Sequence, residues 1–200
     1  MAKVLIACEF SGTVRDAFIR EGHDAISVDL LPSESDFGPH HQGDVIQFMD
    51  DHPGEFDLII AHPTCTYLTN AGVRWIYVGG DGNTIDQERW RNMEDGAVFF
   101  NQFKGRADHV AIENPIPHGF ARNLIGEYTQ KIQPWEYGHG DTKATCLWLE
   151  NLQPLVPTDI VSGRRPWVHH LPPSPDRWKE RSRTYPGIAA AMAKQWGPLL

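Results

Sequence analysis

The stretch Phe56-Asp57-Leu58-Ile59-Ile60-Ala61-His62-Pro63-Thr64-Cys65 constrains the fold more than any other in this chain of 200 residues. Leu58 to Ala61 is short, unbroken in its apolar character and β-prone, the pattern of a strand buried on both faces. Pro63 ends it, because a proline cannot continue a central strand, and two residues later the chain presents a thiol. A cysteine on the turn past a buried strand stands at the carboxyl edge of the sheet, where open α/β sheets place their ligands. Cys65 is therefore a candidate nucleophile. The alternative is a small buried hydrophobe, the usual fate of a lone cysteine.

The flanking sequence supplies the rest of such a sheet. Lys3 to Cys8 reads as a first strand, with a turn at Ser11-Gly12. Thr13 to Glu21 reads as a helix, with Val14, Ala17, Phe18 and Glu21 at helical spacing and Gly22 ending it. Asp24 to Asp29 reads as a second strand whose last residue is acidic. An acid about twenty residues beyond a glycine turn is placed to contact a ribose hydroxyl, although Gly12 stands without the other glycines of a full phosphate-binding fingerprint. Leu31 to Gly43 reads as a loop, Asp44-Val45-Ile46 as a short third strand and Gln47 to His52 as a short helix. Tyr67 to Asp86, with Gly72, Gly79, Gly80 and Gly82, is long enough to suggest a mobile lid. Gln87 to Gly105 is the clearest helix, with Trp90, Met93, Ala97, Val98 and Phe100 as its core stripe. His109 to Ile112 is another strand and delivers Glu113-Asn114-Pro115. Residues 131–135 and 144–149 read as two final strands, and residues 188–195 as a closing helix. The expected organisation is a domain over 1–153 with a proline-rich basic tail, 154–200, packed on it.

Composition sets outer bounds. A hydrophobic share of 40% with 22% charged residues is that of a water-soluble globule, and no apolar run reaches the roughly 20 residues of a membrane span. The amino terminus enters a strand at once, without the long apolar region of a signal peptide. Cys8, Cys65 and Cys146 are odd in number and far apart, which suits a reduced cytoplasmic setting better than a disulfide framework. The net charge of −8 argues against indiscriminate nucleic-acid binding. Between Val161 and Tyr185, however, six cations face two carboxylates, a net +4 that leaves −12 on the remainder. Such a basic segment, with Trp167 and Trp178 interleaved, suits stacking bases and pairing phosphates, or simply wrapping an acidic body.

Three strand ends thus converge: Asp29, Cys65 and Glu113. A carboxyl at the end of a buried strand is expected to have a raised pKa and to donate a proton. A thiol nucleophile with a nearby carboxyl is what covalent activation of a pyrimidine ring requires. At these residues the chain resembles the cytosine carbon-5 methyltransferases that use S-adenosylmethionine. Phe10-Ser11-Gly12 is similar to their opening Phe-x-Gly motif, and Asp29 to their ribose-binding acid. Asp44 within Gly43-Asp44-Val45 is similar to their adenine-contacting Asp. Pro63-Thr64-Cys65 is similar to their Pro-Pro-Cys nucleophile motif, and Glu113-Asn114-Pro115 to their Glu-Asn-Val. The match in order and spacing runs from residue 3 to about 149.

The resemblance implies a Rossmann-like α/β methyltransferase fold, with a doubly wound, mostly parallel sheet and a C-terminal antiparallel strand pair. It implies S-adenosylmethionine as cofactor, bound by Phe10, Gly12, Asp29, Asp44 and Pro63. Cys65 would add to carbon 6 of cytosine while Glu113 engages ring nitrogen N3, and Asn114 would hold the Cys65 loop. Lys143 is the candidate for the basic position of the last strand pair, with Arg164 and Arg165 as further substrate-binding cations; Tyr185-Pro186-Gly187 is the candidate closing cofactor motif.

Several positions depart from the family pattern. The second glycine of the first motif is missing, with Val14 nearby, Thr64 replaces the second proline beside the nucleophile, and the usual Arg pair is missing. Between Leu149 and Arg183 there is no room for a target-recognition domain, so the substrate is DNA recognised with a partner's help, a single strand or a free cytosine nucleotide. A catalytically silent binder of cofactor or nucleic acid is the rival reading. A metal site would have to use His40, His41, His62 and Cys65, whose irregular spacing gives no zinc signature, so no metal is expected. His169-His170 reads as an exposed pair.

Overall fold

The computed structural model describes residues 1–200. Its strands are β1 (Lys3–Ala7), β2 (Asp24–Asp29), β3 (His40–Gln42), β4 (Leu58–Ala61), β5 (His109–Pro115), β6 (Gln130–Ile132) and β7 (Thr145–Glu150). They form one sheet in the order β3-β2-β1-β4-β5-β7-β6. Pairing is parallel from β3 through β5, whereas β7 runs antiparallel to both β5 and β6. Six helices accompany it: α1 (Thr13–Arg20), α2 (Val45–Asp51), α3 (Gln87–Asn101), α4 (Gly119–Ile125), α5 (Arg177–Ser182) and α6 (Pro186–Trp196). No helix is long and apolar enough to cross a membrane.

The period of two along a strand divides the apolar residues between two cores. Val4, Ile6, Leu58 and Ile60 face Phe18 of α1 and Met192 and Trp196 of α6. Leu5, Ile59 and Ile112 face Phe48 of α2, Met93 and Phe100 of α3 and Ile125 of α4. Both faces of β4 are therefore covered, which is why its four residues are apolar without alternation. The closing helix belongs to the first core: Trp196 is fully buried and its Nε1 donates to the carbonyl of Gln153 at 2.9 Å.

One buried charge was invisible in the apolar pattern. Arg15 is fully enclosed in α1, where its guanidinium donates to Asp16 Oδ1 (2.8 Å), Ser27 Oγ (3.0 Å) and the carbonyl of Ser35 (3.0 Å). A buried guanidinium persists only when paired and hydrogen-bonded in this way. The network ties residues 31–39 to α1 and β2.

Several local expectations are corrected. The third strand is His40–Gln42, not Asp44 to Ile46; Asp44 instead caps α2, accepting from the N–H groups of Ile46 (2.8 Å) and Gln47 (3.0 Å). A side-chain cap satisfies orphan donors and starts the helix before the apolar pattern shows it. Helix α4 lies in a stretch with no clear periodicity and starts at a His118 cap. Tyr67 to Asp86 is not an open lid: it folds into two 3-10 turns, with Leu68 and Ile76 buried in the second core. The tail contains a further helix, α5, because the prolines around it hide a short helical run.

Candidate active site

The parallel register builds the site. Ala7 pairs with Val28 on one side and with Ala61 on the other, and Ala61 pairs with Ile112. One residue further on, Asp29, Cys8, His62 and Glu113 stand side by side across the carboxyl ends of β2, β1, β4 and β5. Cys8 has φ 58°, a left-handed conformation rare outside glycine, and there the chain turns out of the sheet toward α1. Gly12, with φ 73°, completes that turn; a Cβ on it would strike the Arg15 guanidinium and Ser35.

A small, solvent-open cleft lies over this row. Cys8, Phe10, His62, Pro63, Cys65, Glu113, Pro115 and Lys143 line it from the body, and Arg181 to Thr184 close it from the tail. Thus the segment that covers the cleft is the tail, not the Tyr67 to Asp86 stretch. It is fastened by the Arg183 guanidinium on the Glu34 carboxylate (2.8 Å) and by Trp178 against Phe10, ring centroids 6.0 Å apart. Lys143 Nζ donates to the carbonyl of Arg183 at 3.1 Å, joining the roof to the last strand pair.

The electrostatics of the two central groups are opposed. Burial pushes the Cys65 thiol up and the Glu113 carboxylate adds to that, while Lys143 and Arg181 pull it down. For Glu113, burial alone would raise the pKa, as the sequence suggested. The hydrogen bond from His62 Nδ1 (3.0 Å), the His62 charge and Lys143 outweigh it, and the carboxyl is held below the usual range. Glu113 at rest is thus a carboxylate. The Cys8 thiol is driven far above its ordinary value by burial and then by Asp29 and Asp44, which makes it a poor nucleophile.

Other sequence-derived candidates fall into two groups. Asp29 and Asp44 do not line the cleft, but both act on Cys8, which does. Asp29 accepts from the N–H of Leu31 (2.9 Å), and burial raises its pKa. Asn114 is fully buried, yet its Nδ2 donates to the carbonyl of Pro115 and its Oδ1 has no partner, so it does not hold the Cys65 loop. The strand continues to Pro115 and pairs Asn114 with Cys146. Arg164 and Arg165 stay outside the cleft. Arg164 stacks on Trp135 at 3.5 Å, and the backbone of Arg165 bonds to Gly140 and Thr142. Tyr185 donates to Asp141, and Gly187 N–H to His139 (2.9 Å), so that motif anchors the tail.

The proposed metal ligands disperse as well: His40 bonds Ser27 and the carbonyl of Leu31, His41 packs on Phe48, and His62 engages Glu113. Two residues of the site escaped sequence reading. His62 stands in the nucleophile motif itself, where the sequence suggests it only as a metal ligand. Arg181 enters no ion pair and reaches the cleft only because α5 folds back over it.

The strand order, with reversed β7 inserted between β5 and β6, is that of the Rossmann-like S-adenosylmethionine-dependent methyltransferase fold. Solved structures with a similar chain path include an E. coli prophage-encoded protein described as a DNA modification methyltransferase, 16% identical, TM-score 0.46, with 74% of this chain and 46% of that one covered. A variant of DNMT2 from Spodoptera frugiperda is 16% identical, with TM-score 0.43 and coverage of 80% and 54%. A TehB-like methyltransferase from Corynebacterium glutamicum is 15% identical, with TM-score 0.42 and coverage of 74% and 79%. The chain spans about half the length of the first two. No protein-family model and no curated protein matches the sequence.

Proposed function

We propose that the protein is an S-adenosylmethionine-dependent methyltransferase acting on carbon 5 of cytosine in DNA, through a covalent adduct with Cys65. The observation that carries the reading is that Cys65 and Glu113 line one cleft at the carboxyl edge of a methyltransferase-type sheet. The cofactor fits the donor set: Asp29 ends β2 as a ribose acceptor, Asp44 stands at the next strand-to-helix turn, and Phe10 offers an aromatic wall. Both acids act on Cys8, which lines the cleft, and this supports their assignment to the cofactor. Gly12 serves by its turn and Pro63 by shaping the wall. When bound, S-adenosylmethionine supplies an electrophilic methyl group.

The protein's own residues then do the following. Cys65 sulfur bonds to carbon 6, Glu113 attends ring nitrogen N3 as charge develops there, and carbon 5 becomes nucleophilic. Lys143 and Arg181 favour the thiolate over the thiol, which burial and Glu113 oppose, and their charges suit an anionic nucleotide. Arg164 and Arg165 belong to an outer surface suited to phosphates rather than to the cleft. Asn114 supports β5 from within. Target recognition is assigned to a partner or to a single-stranded or nucleotide substrate, since residues 150–182 wrap the body.

Calorimetric titration with S-adenosylmethionine tests the cofactor assignment. Asp29→Ala is expected to weaken binding about 10- to 100-fold, the worth of a hydrogen bond to a charged group. Heat of binding absent from the intact protein overturns the proposal, and an Asp29→Ala affinity equal to that of wild type removes the ribose role. Tritium release from carbon-5-labelled cytosine in duplex, single-stranded and mononucleotide form identifies the substrate. Binding without release on any of them favours the silent-binder reading.

A further inference from the structure

The sequence leaves the basic tail segment two roles, a wrapping for the acidic body or a surface for a polyanion. Its ion pairs separate them. Wrapping would set the tail cations against carboxylates of the body, and only Arg183 does so, on Glu34; Lys179 pairs inside the tail, with Asp176. Arg164, Arg165, Arg177 and Arg181 reach no carboxylate within ion-pair distance. Two tryptophans of the same segment are also left in water: Trp167 is 61% exposed and Trp178 53%. Rings of that size are ordinarily buried, and their exposure points to a ligand.

The segment is nonetheless held in place. Buried Asp141 accepts from the N–H groups of Trp167 (3.0 Å) and Val168 (3.3 Å) and from the Tyr185 hydroxyl. The Arg177 guanidinium donates to the carbonyls of Leu171 (2.7 Å) and His169 (3.1 Å), which fastens α5 to the same stretch. Trp178 rests on Phe10, and Arg181 lines the cleft. A fixed band thus runs from Arg164 to the cleft, with cations set beside aromatic rings. Arg164 lies 3.5 Å from the centre of the Trp135 ring and Arg165 5.9 Å from that of Trp167. A guanidinium stacked on a ring keeps its N–H edge for a phosphate.

We propose that this band binds single-stranded DNA, the exposed indoles stacking unpaired bases and the free guanidiniums pairing phosphates, and so leads a strand to the cleft. The proposal rests on the cytosine reading above and names its substrate, a single strand rather than a duplex or a free nucleotide. Exposed rings beside unpaired cations suit an anion that itself carries open aromatic faces. A duplex hides its base faces, an acidic peptide offers none, and a mononucleotide leaves most of the band unused. The net −12 on the remainder of the chain repels the strand elsewhere and confines it to the band.

Anisotropy titration of the full-length protein with a fluorescent oligodeoxycytidylate of about 12 nucleotides, without cofactor, tests the band; stacking surfaces occupy about 4–16 nucleotides. The strand is expected to bind at least about 10-fold more tightly than the duplex it forms with oligodeoxyguanylate. With four phosphates paired, log K should fall with log salt at a slope of about −3, and replacing Arg164 and Arg165 together by alanine should flatten it by about 1.4. Trp167→Ala should weaken binding about 10-fold at unchanged slope, and Trp167→Phe, which keeps a ring, should stay within about 3-fold of wild type. If Trp167→Ala folds poorly, Trp167→Leu, apolar but without a ring face, takes its place. Duplex bound as tightly as the strand, wild-type binding without the Trp167 ring, or an unchanged slope in the arginine variant overturns the proposal. So does tighter binding of the corresponding RNA strand. Strand binding as expected, with no tritium release from any cytosine substrate, keeps the band and removes the cytosine function. Release from duplex or mononucleotide by a protein that binds no strand keeps the function and removes the band.

Discussion

Cys65→Ser is expected to reduce tritium release to background, a loss of at least about 10³-fold, or about 4 kcal/mol of transition-state stabilisation. A serine hydroxyl in the same place ionises far less readily than a thiol and is a far weaker nucleophile. Activity that survives the substitution removes the covalent mechanism. The wild-type pH profile carries the second half of the prediction. The thiol pKa is raised, by burial first and Glu113 second, so the reactive thiolate is scarce below that value. Its fraction rises with pH, and kcat/KM should climb on the alkaline side of an ordinary thiol. Arg181→Ala removes one of the two cations favouring the thiolate, so the ascending limb should move to higher pH. A limb that stays in place would show that Arg181 acts only on substrate.

Trp196→Ala is expected to be the most damaging change for stability among those away from the cleft. Its indole is fully buried between α6 and the sheet and donates to the Gln153 carbonyl. Removing so large a side chain costs about 3–5 kcal/mol through lost contacts and an unfilled cavity. That is a large part of the about 5–15 kcal/mol that holds an ordinary domain together. Urea unfolding followed by tryptophan fluorescence and by circular dichroism should give one shared transition, moved to lower denaturant. If the tail were a separate appendage, the circular dichroism midpoint of the sheet would stay in place while the fluorescence changed. Because α6 supplies Met192 and Ile188 to the wall behind His62 and Glu113, the same substitution should also weaken cofactor binding.

Much of the fold is legible in single residues. Strand β4 needs four consecutive apolar residues because it is central and covered on both faces, and the proline after it ends the pairing. Strand β2 and helix α1 announce themselves by alternation, helical spacing and terminal glycine. These features depend on local geometry, so the sequence alone determined them, together with the strand ends that carry Asp29, Cys65 and Glu113. Where sequence reading failed, the deciding interaction was remote. Arg15 looks like a surface residue until Ser27, Ser35 and Asp16 surround it. Asp44 reads as strand until its carboxylate is seen to accept the N–H groups of α2.

The charge state of Glu113 is the clearest division between the two levels. Burial at a strand end is readable from the sequence, and it predicts a carboxyl that keeps its proton. The opposing hydrogen bond comes from a strand 51 residues away in sequence, brought alongside by parallel pairing. Likewise Arg181 and Thr184 reach the cleft because α6 anchors the tail against α1, not because of any motif around them. Residue order settled which groups stand at the strand ends, since two-residue periodicity and proline act over a few bonds. Tertiary structure alone decided which of those groups face one another and that Glu113 stays a carboxylate, because Coulomb and hydrogen-bond energies depend on distances that only the packed chain fixes.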